Sequence, residues 1–556
     1  MKKTILIISF GITILIAILF NYSCTKLIDE SYSVIDANKY VYSENDILVI
    51  VNSAYGDWRK ILLFWNGLWR TQELGADEQI IPARPNGWVD AGEFKRMHLH
   101  TWNATDPQVI NNWRRTYEGI ENCNRVIDDI KADEYPMEED AKISALAQLK
   151  VLRASYYYIL CDIYGNVPIV EHSADYLPEG YLPEQNTRKE LYDFIVKEIK
   201  DNLPYLSRKN DISTYGKWNI WAARTLLAKI YLNAEVYTGT PAWEACMEQC
   251  DSVIANNVGI DLENDQKAVF ETENENSIEI IYGISIKPEF LDNMGIDWNA
   301  FDIHMQTLEP VQQATYDLNV TPWGGPCAIP QFIDSFDPDD SRLSRNFIIG
   351  QQFASDGTPL LAGMGDYADS LLIYVNYVPN IDYSEAVHGY RFQKFEIALG
   401  AINILANDYP LLRYGDILMM KAECLLRTGD ADGAAEIVTQ VRTRAFTSNP
   451  DKATVTGAQL MEKTSAYNYG FKETRDGVST VEDQDIEFEY ARFLDELGWE
   501  FNQEGRRRQD MIRFGIYHLV DYLSHDHSVS GEYRTILPIP DEELTKNPNL
   551  KQNSGY

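Results

Sequence analysis

Residues 408–445, DYPLLRYGDILMMKAECLLRTGDADGAAEIVTQVRTRA, constrain the fold most, because they encode two helices joined by a turn so short that the helices must pack antiparallel. Tyr414, Leu418, Ala422 and Leu425 recur at spacings of four and three, which puts them on one face. Pro410 suits a helix start, Gly429 a left-handed helix end and Asp430 the cap of the second helix, where Ala434, Ile437 and Val441 repeat the stripe. The small residues Ala422, Ala434 and Ala435 allow close approach, as in tetratricopeptide pairs. One hairpin leaves an apolar face uncovered, so further pairs are expected to stack on it.

Such pairs recur. Asp106 and Pro107 open a helix bearing Trp113, Tyr117, Ile120 and Ile127, and a second helix from about Glu138 carries Ala145, Leu149, Leu152, Tyr156, Ile159 and Ile163 before Gly165 and Pro168 stop it. A third pair is expected from the capping box Thr187/Glu190 and a helix over 218–237, with another helix after Thr240 and Pro241. No fixed period links them, which favours tandem pairs over a regular solenoid. A first body helix is expected over 44–63, a long irregular segment over 66–105, and an irregular insertion with short strands over 257–407. A polar linker should follow to about Asp485, then a helix bearing Phe488 to Phe501 and a Pro-rich tail lying against the body.

The N-terminus carries Lys2 and Lys3, an apolar run from Ile5 to Phe20, then Asn21, Tyr22, Ser23 and Cys24. This reads as a signal peptide over 1–23 ending at a lipoprotein cysteine, Cys24, with a polar tether over 24–40 and a single body over 41–556. The alternative is an uncleaved anchor helix, since the run nearly spans a bilayer. The other six cysteines read as small core residues, because no pair has zinc-site spacing and Cys246 and Cys250 sit one helical turn apart.

The formal charge of −35 repels phosphate backbones and excludes nucleic acid as a partner class. With 12 Trp and 34 Tyr, the chain has rings to spare for a surface where stacking matters. Two irregular segments concentrate them: 66–105, with Trp69, Trp88 and Trp102, and 297–343, with Trp298, Phe301, Tyr316 and Trp323. No nucleophile elbow, HExxH or phosphate-cradling loop occurs. The pairs His98/His100 and His525/His527 lack accompanying ligands, and FDPDDSR at 336–342 reads as an Asp-Pro turn before a calcium loop. No metal or cofactor is therefore expected. Glu504, Arg506, Asp510 and Arg513 sit at helical spacing, as a structural ion network would.

Several segments carry a family resemblance: RASYYYILCDIYGNVPIV at 153–170, WAARTLLAKIYLNA at 221–234, YPLLRYGDILMMKAECLLRTGD at 409–430, EGRRRQDMIRFG at 504–515, and ILPIP followed by QNSGY. In this order, behind a lipoprotein-type signal, they resemble the SusD/RagB family of Bacteroidetes surface lipoproteins. The resemblance implies a mainly α, SusD-like fold with a tetratricopeptide-like helix-pair scaffold and a loop-rich ligand face. It also implies a non-catalytic, outer-membrane, lipid-anchored protein that captures oligosaccharides for a SusC-like TonB-dependent transporter, with a peptide-binding RagB-like role as the alternative. The acidic residues after Cys24 resemble the family's surface-export signal. In the family's starch-binding branch two loop regions build the site, which points to Asp77, Arg84, Asn86 and Trp88 in the first region and Trp298, Tyr316 and Trp323 in the second. A glycoside hydrolase is the rival class, but among 84 acidic residues a suitably spaced pair of carboxylates can always be found.

Overall fold

The computed structural model describes residues 43–135, 137–286 and 301–556, so the expected signal peptide, Cys24, the tether and Trp298 lie outside the described residues. The chain divides into two compact units, 1–47 and Leu48–Tyr556, and the helical scaffold lies in the second. No helix among the described residues is long and apolar enough to cross a membrane.

Helix Pro107–Lys131 packs on Glu139–Ile163, which also receives Arg188–Asn202. The Thr187/Glu190 capping box forms, with the Glu190 amide on Thr187 Oγ1 at 3.2 Å and the Thr187 amide on Glu190 at 2.8 Å. The expected 187/218 pairing is redistributed, however. Helix Ile220–Leu232 ends at Asn233 and pairs chiefly with Trp243–Ile254, whose stripe of Cys246, Cys250 and Val253 is wholly buried. That helix in turn packs against Tyr414–Thr428, which forms the last pair with Ala431–Thr443. The stack thus continues directly from residue 254 to residue 414, and the insertion between them is extruded sideways.

In the last pair, Gly429 takes the left-handed conformation at φ 94° and Asp430 caps the second helix through the Gly433 amide at 2.9 Å. Pro410 does not start the first helix. Strand Ile280–Ile284 captures Tyr409–Arg413 as its antiparallel partner, so the helix begins at Tyr414 instead. Other boundaries also differ from expectation. The 44–63 segment is two helices, Glu44–Ser53 and Gly56–Leu63, and the 66–105 segment contains the helices Leu68–Leu74 and Glu93–His98. The polar linker holds a β-hairpin, Gly470–Arg475 with Val478–Asp483, turned by Asp476 and Gly477 in left-handed backbone. The Pro-rich tail lies on the body as expected: the Leu537 amide donates to the Ile163 carbonyl at 2.6 Å, and the Asn553 side chain donates to the Tyr164 carbonyl at 2.8 Å.

The insertion is tied to the stack by buried charge. Glu500, on helix Ala491–Phe501, meets Arg413 at 2.9 Å, Arg444 at 2.6 Å and Arg342 at 3.2 Å. Arg413 also binds Glu279 at 2.6 Å and Glu504 at 2.7 Å, and Lys394 joins Glu504 at 2.5 Å. Burial alone would raise the Glu500 pKa, but the surrounding Arg444, Arg413 and Arg342 hold it well below the carboxylate range. A second network confirms the expected structural use of EGRRRQDMIRFG: Asp510 bridges Arg506 and Arg513, while Arg506 also reaches Asp416 and Arg513 reaches Glu423.

Removing one partner of such a network leaves several charges uncompensated in a dry interior. Glu500→Gln is expected to cost about 3–5 kcal/mol in denaturant unfolding, whereas Lys189→Ala, which breaks an exposed pair with Asp193, is expected to cost at most about 0.5 kcal/mol. Because the folded Glu500 pKa is depressed, its contribution is present above the unfolded carboxylate pKa and is lost as pH falls through the folded value. Equal stability of the two variants would refute the role given to the lattice.

Candidate functional site

Trp65 follows the Gly56–Leu63 helix, Trp88 lies on the loop after strand Gln79–Ile80, and Trp323 comes from the insertion. These three indoles converge. Ring centroids lie 5.2 Å apart for Trp65 and Trp88, 5.7 Å for Trp65 and Trp323, and 6.2 Å for Trp88 and Trp323, with planes tilted by 40° to 76°. With Phe64, Asn86, Asp90, Pro310 and Pro322 they line an open hollow of about 710 Å³. The wall is mostly ring and proline, with Asn86 and Asp90 supplying side-chain polar groups.

The backbone around the hollow explains why the rings stay half-exposed. Strand Gln79–Ile80 pairs with Cys327–Ala328, which brings the two loop regions together. Asn86 then joins them: its amide donates to the Trp323 carbonyl, and its side-chain oxygen accepts the Trp88 amide at 3.1 Å. Residues 323–325 are hung on the helix Ile303–Thr307 and the turn after it, through the Trp323, Gly324 and Gly325 amides to the carbonyls of Met305, Leu308 and Gln306. Gly325 leaves room for the Trp88 ring, since a Cβ there would strike it and force the indole to move. Beneath the indoles, Arg70 lies over Phe94 at 5.1 Å and near Trp65 at 5.9 Å. Burial pulls its pKa down to about 10, against the nearby carboxylates.

Burial also raises the pKa of Asp90 to about 6, opposed by Arg70. Glu93 behind it rises to about 7 through burial and the charge of Asp90. Glu93 does not line the hollow, leaving Asp90 as the carboxylate on its wall.

The structure separates the sequence candidates. Trp88, Asn86 and Trp323 meet at one hollow. Arg84 does not offer its guanidinium to solvent: it is buried and donates to the carbonyls of Gly325, Glu385 and His388, so it braces the loops. Asp77 is fully buried, paired with Arg507 at 2.7 Å and accepting the Tyr469 hydroxyl at 2.8 Å, because strand pairing carries it into the core and away from the ligand face. Tyr316 is half-buried, with its carbonyl accepting the Gly400 amide, and does not line the hollow. Trp69 and Trp102 are core residues, the latter donating to the Tyr556 hydroxyl at 2.8 Å. Trp65 and Asp90 escaped sequence reasoning, although the FWNG sequence at a helix end held a readable signal in Trp65.

Three of the eight histidines gather in the core. His100 and His525 meet at a tilt with centroids 4.2 Å apart, His98 meets His525 edge-on at 6.4 Å, and burial pushes His98 down to about 4 and His100 to about 3. In FDPDDSR, Lys452 neutralises Asp337 at 2.7 Å and Asp339 at 2.8 Å, and Arg342 neutralises Asp340. Among the described residues, Asp521, Asp526 and His527 bring three donor atoms within 4.8 Å of one another, but the Asp521 oxygen already accepts from the His527 amide and ring.

Two family models match. That of the SusD family covers residues 331–556, and one described as "Starch-binding associating with outer membrane" covers 65–232. Among curated relatives, the chain is 22% identical over 531 residues to the starch-binding protein SusD of Bacteroides thetaiotaomicron, covering 89% of this chain and 86% of that one. A SusD-like protein of Formosa agariphila is 23% identical over 570 residues, covering 96% and 97%. Among solved structures, a laminarin-binding SusD-like protein superposes with a TM-score of 0.69 at 18% identity, covering 93% of this chain and all of that one. Surface glycan-binding protein A of Bacteroides thetaiotaomicron, in complex with laminarihexaose, gives 0.67 at 20%, covering 92% of this chain and all of that one. The helix-pair stack, the extruded insertion and these matches agree: the chain belongs to the SusD/RagB family.

Proposed function

We propose that the protein is a glycan-binding protein associated with the outer membrane, and that the indole hollow holds a neutral oligosaccharide. The observation that carries this reading is the convergence of Trp65, Trp88 and Trp323 around a hollow of about 710 Å³. Tilted rings at this spacing offer flat apolar faces to a curved chain of pyranoses, while Asn86 and Asp90 meet hydroxyls. The names of relatives support the ligand class: one is called starch-binding, and one solved neighbour is called laminarin-binding. Both polymers are uncharged glucans. The wider role is proposed on family grounds: lipid attachment at Cys24, display on the cell surface, and transfer of the sugar to a TonB-dependent transporter of the SusC type.

The protein acts as a binder. A glycosidase flanks the scissile bond with two carboxylates, and this hollow presents Asp90 alone, with Glu93 behind it in a hydrogen bond to Asn66. Incubation with glucan oligosaccharides should release no new reducing ends, and their appearance would overturn the non-catalytic reading.

Trp88→Ala or Trp323→Ala is expected to weaken oligosaccharide binding about tenfold or more, with little change in melting temperature because both rings are half-exposed. Calorimetry of each variant alongside thermal unfolding checks this. Unchanged affinity would sink the reading, and tight binding of a peptide instead of sugar would favour the RagB-like alternative. The charged form of Asp90 accepts hydroxyl bonds better than the neutral form, so affinity should rise as pH passes upward through about 6. The gain should be about threefold to tenfold, the difference between a neutral and a charge-assisted hydrogen bond. Asp90→Asn should flatten that profile.

A further inference from the structure

A second hollow of about 740 Å³ opens between the insertion and the 470–483 hairpin. Three tyrosine rings stand in it half-exposed: Tyr367 at 41%, Tyr377 at 41% and Tyr383 at 45%. One buried carboxylate positions two of them. Glu385 accepts the Tyr383 hydroxyl at 2.7 Å and the Asp366 amide at 3.2 Å, which fixes the turn carrying Tyr367. That turn needs Gly365, at φ 75°, because a Cβ there would strike the Glu385 oxygen. The Glu385 amide donates to His388 Nδ1 at 3.0 Å, so the neutral ring carries its proton on Nε2. Tyr367 and Tyr377 both meet His388 edge-on, at 5.7 Å and 5.2 Å. The far wall is the hairpin tip, fastened by the Thr474 amide on the Pro379 carbonyl at 2.7 Å and by Asn380 on the Thr474 carbonyl.

This hollow is continuous in construction with the indole hollow. Arg84 holds the Gly325 carbonyl of the first and the Glu385 and His388 carbonyls of the second. A narrow cleft shares Asn86 and Pro310 with the indole hollow and is lined also by Gly363, Met364 and Ala386, close in sequence to the Asp366, Tyr367 and His388 of the second hollow. Of the carboxylates lining the second hollow, Asp382 is paired with Lys95 and Arg475, while Asp366 and Asp476 form no ion pair among the described residues and leave the hollow acidic. Such a wall repels anions and accepts hydrogen bonds from hydroxyls, which suits an uncharged, hydroxyl-bearing ligand.

We infer that the tyrosine hollow is a second saccharide subsite, which engages a distant part of the same neutral glycan chain that the indole hollow grips. Flat phenol faces cover pyranose rings, and Asp366, Asp476 and the His388 Nε2–H offer hydroxyl partners. The inference rests on the glycan reading of the indole hollow and adds a length requirement: a short sugar fills one hollow and a long chain spans both.

The test compares disaccharides and hexasaccharides of the starch and laminarin series by calorimetry, with retention of the full chain in native gels containing each polymer. Tyr367→Ala/Tyr377→Ala should weaken hexasaccharide binding about tenfold and leave disaccharide binding unchanged, while Tyr367→Phe/Tyr377→Phe, which keeps the rings, retains most of the affinity. Trp88→Ala should weaken both ligands. In the unmutated protein, hexasaccharide should shield Tyr367 and Tyr377 from nitration and disaccharide should not, which requires no variant to fold. A tyrosine variant that binds the hexasaccharide like wild type, or tyrosines nitrated equally with and without it, overturns the second subsite and leaves the indole reading standing. Wild-type protein retained by neither polymer overturns the glucan assignment for both hollows.

Discussion

The contact between Arg413 and Glu500 is where the parts of the molecule are fastened to each other. Arg413 ends the strand that precedes the last helix pair, Glu500 lies on the helix after the hairpin, and Glu279, Arg342 and Lys394 enter from the insertion. Charges so deeply buried are stable only when each is answered by several others. The lattice therefore demands one relative placement of stack, insertion and C-terminal helix. Hydrophobic packing would tolerate sliding. A fork of guanidinium hydrogen bonds does not.

That rigidity reaches the ligand face through backbone groups. Strand Gln79–Ile80 pairs with Cys327–Ala328, Arg84 collects carbonyls from both loop regions, and Gly325 leaves room for the Trp88 ring. The indoles touch one another at centroid distances of 5.2 to 6.2 Å, and the backbone bonds of their loops fix the tilts between them, so that a hollow remains beside the cluster. The polar residues best suited to sugar by type, Arg84 and Asp77, are consumed in making this frame.

Much of the scaffold was legible because it rests on local rules. The helix over 107–131, the capping box at Thr187, the left-handed Gly429 and the capping Asp430 all follow from residue type and spacing. The departures arise where distant chain intervenes. Pro410 reads as a helix start until strand Ile280–Ile284 claims it, and helix 220–232 takes 243–254 as its partner because that surface lies nearer in space. The hairpin turned by Asp476 and Gly477 lies in a stretch whose polar composition reads as linker, although its alternation and turn residues carry a local signal. At the site, ring-rich loops pointed to Trp88 and Trp323, yet nothing local distinguishes these from the buried Trp69 and Trp102. Burial is decided by strand pairing across the chain, and a sequence does not display that.

The sideways extrusion of the insertion also bears on how the chain is made. Helices 243–254 and 414–428 touch, but a ribosome delivers the second only after residues 255–413 have emerged. Until then the nascent stack ends in an uncovered apolar surface, the kind of surface that invites aggregation. Closing so long a loop adds little to the equilibrium cost, since each doubling of length costs about 0.6 kcal/mol. The burden falls on time: the contact between 243–254 and 414–428 joins segments far apart in sequence, and contacts of that kind form slowly.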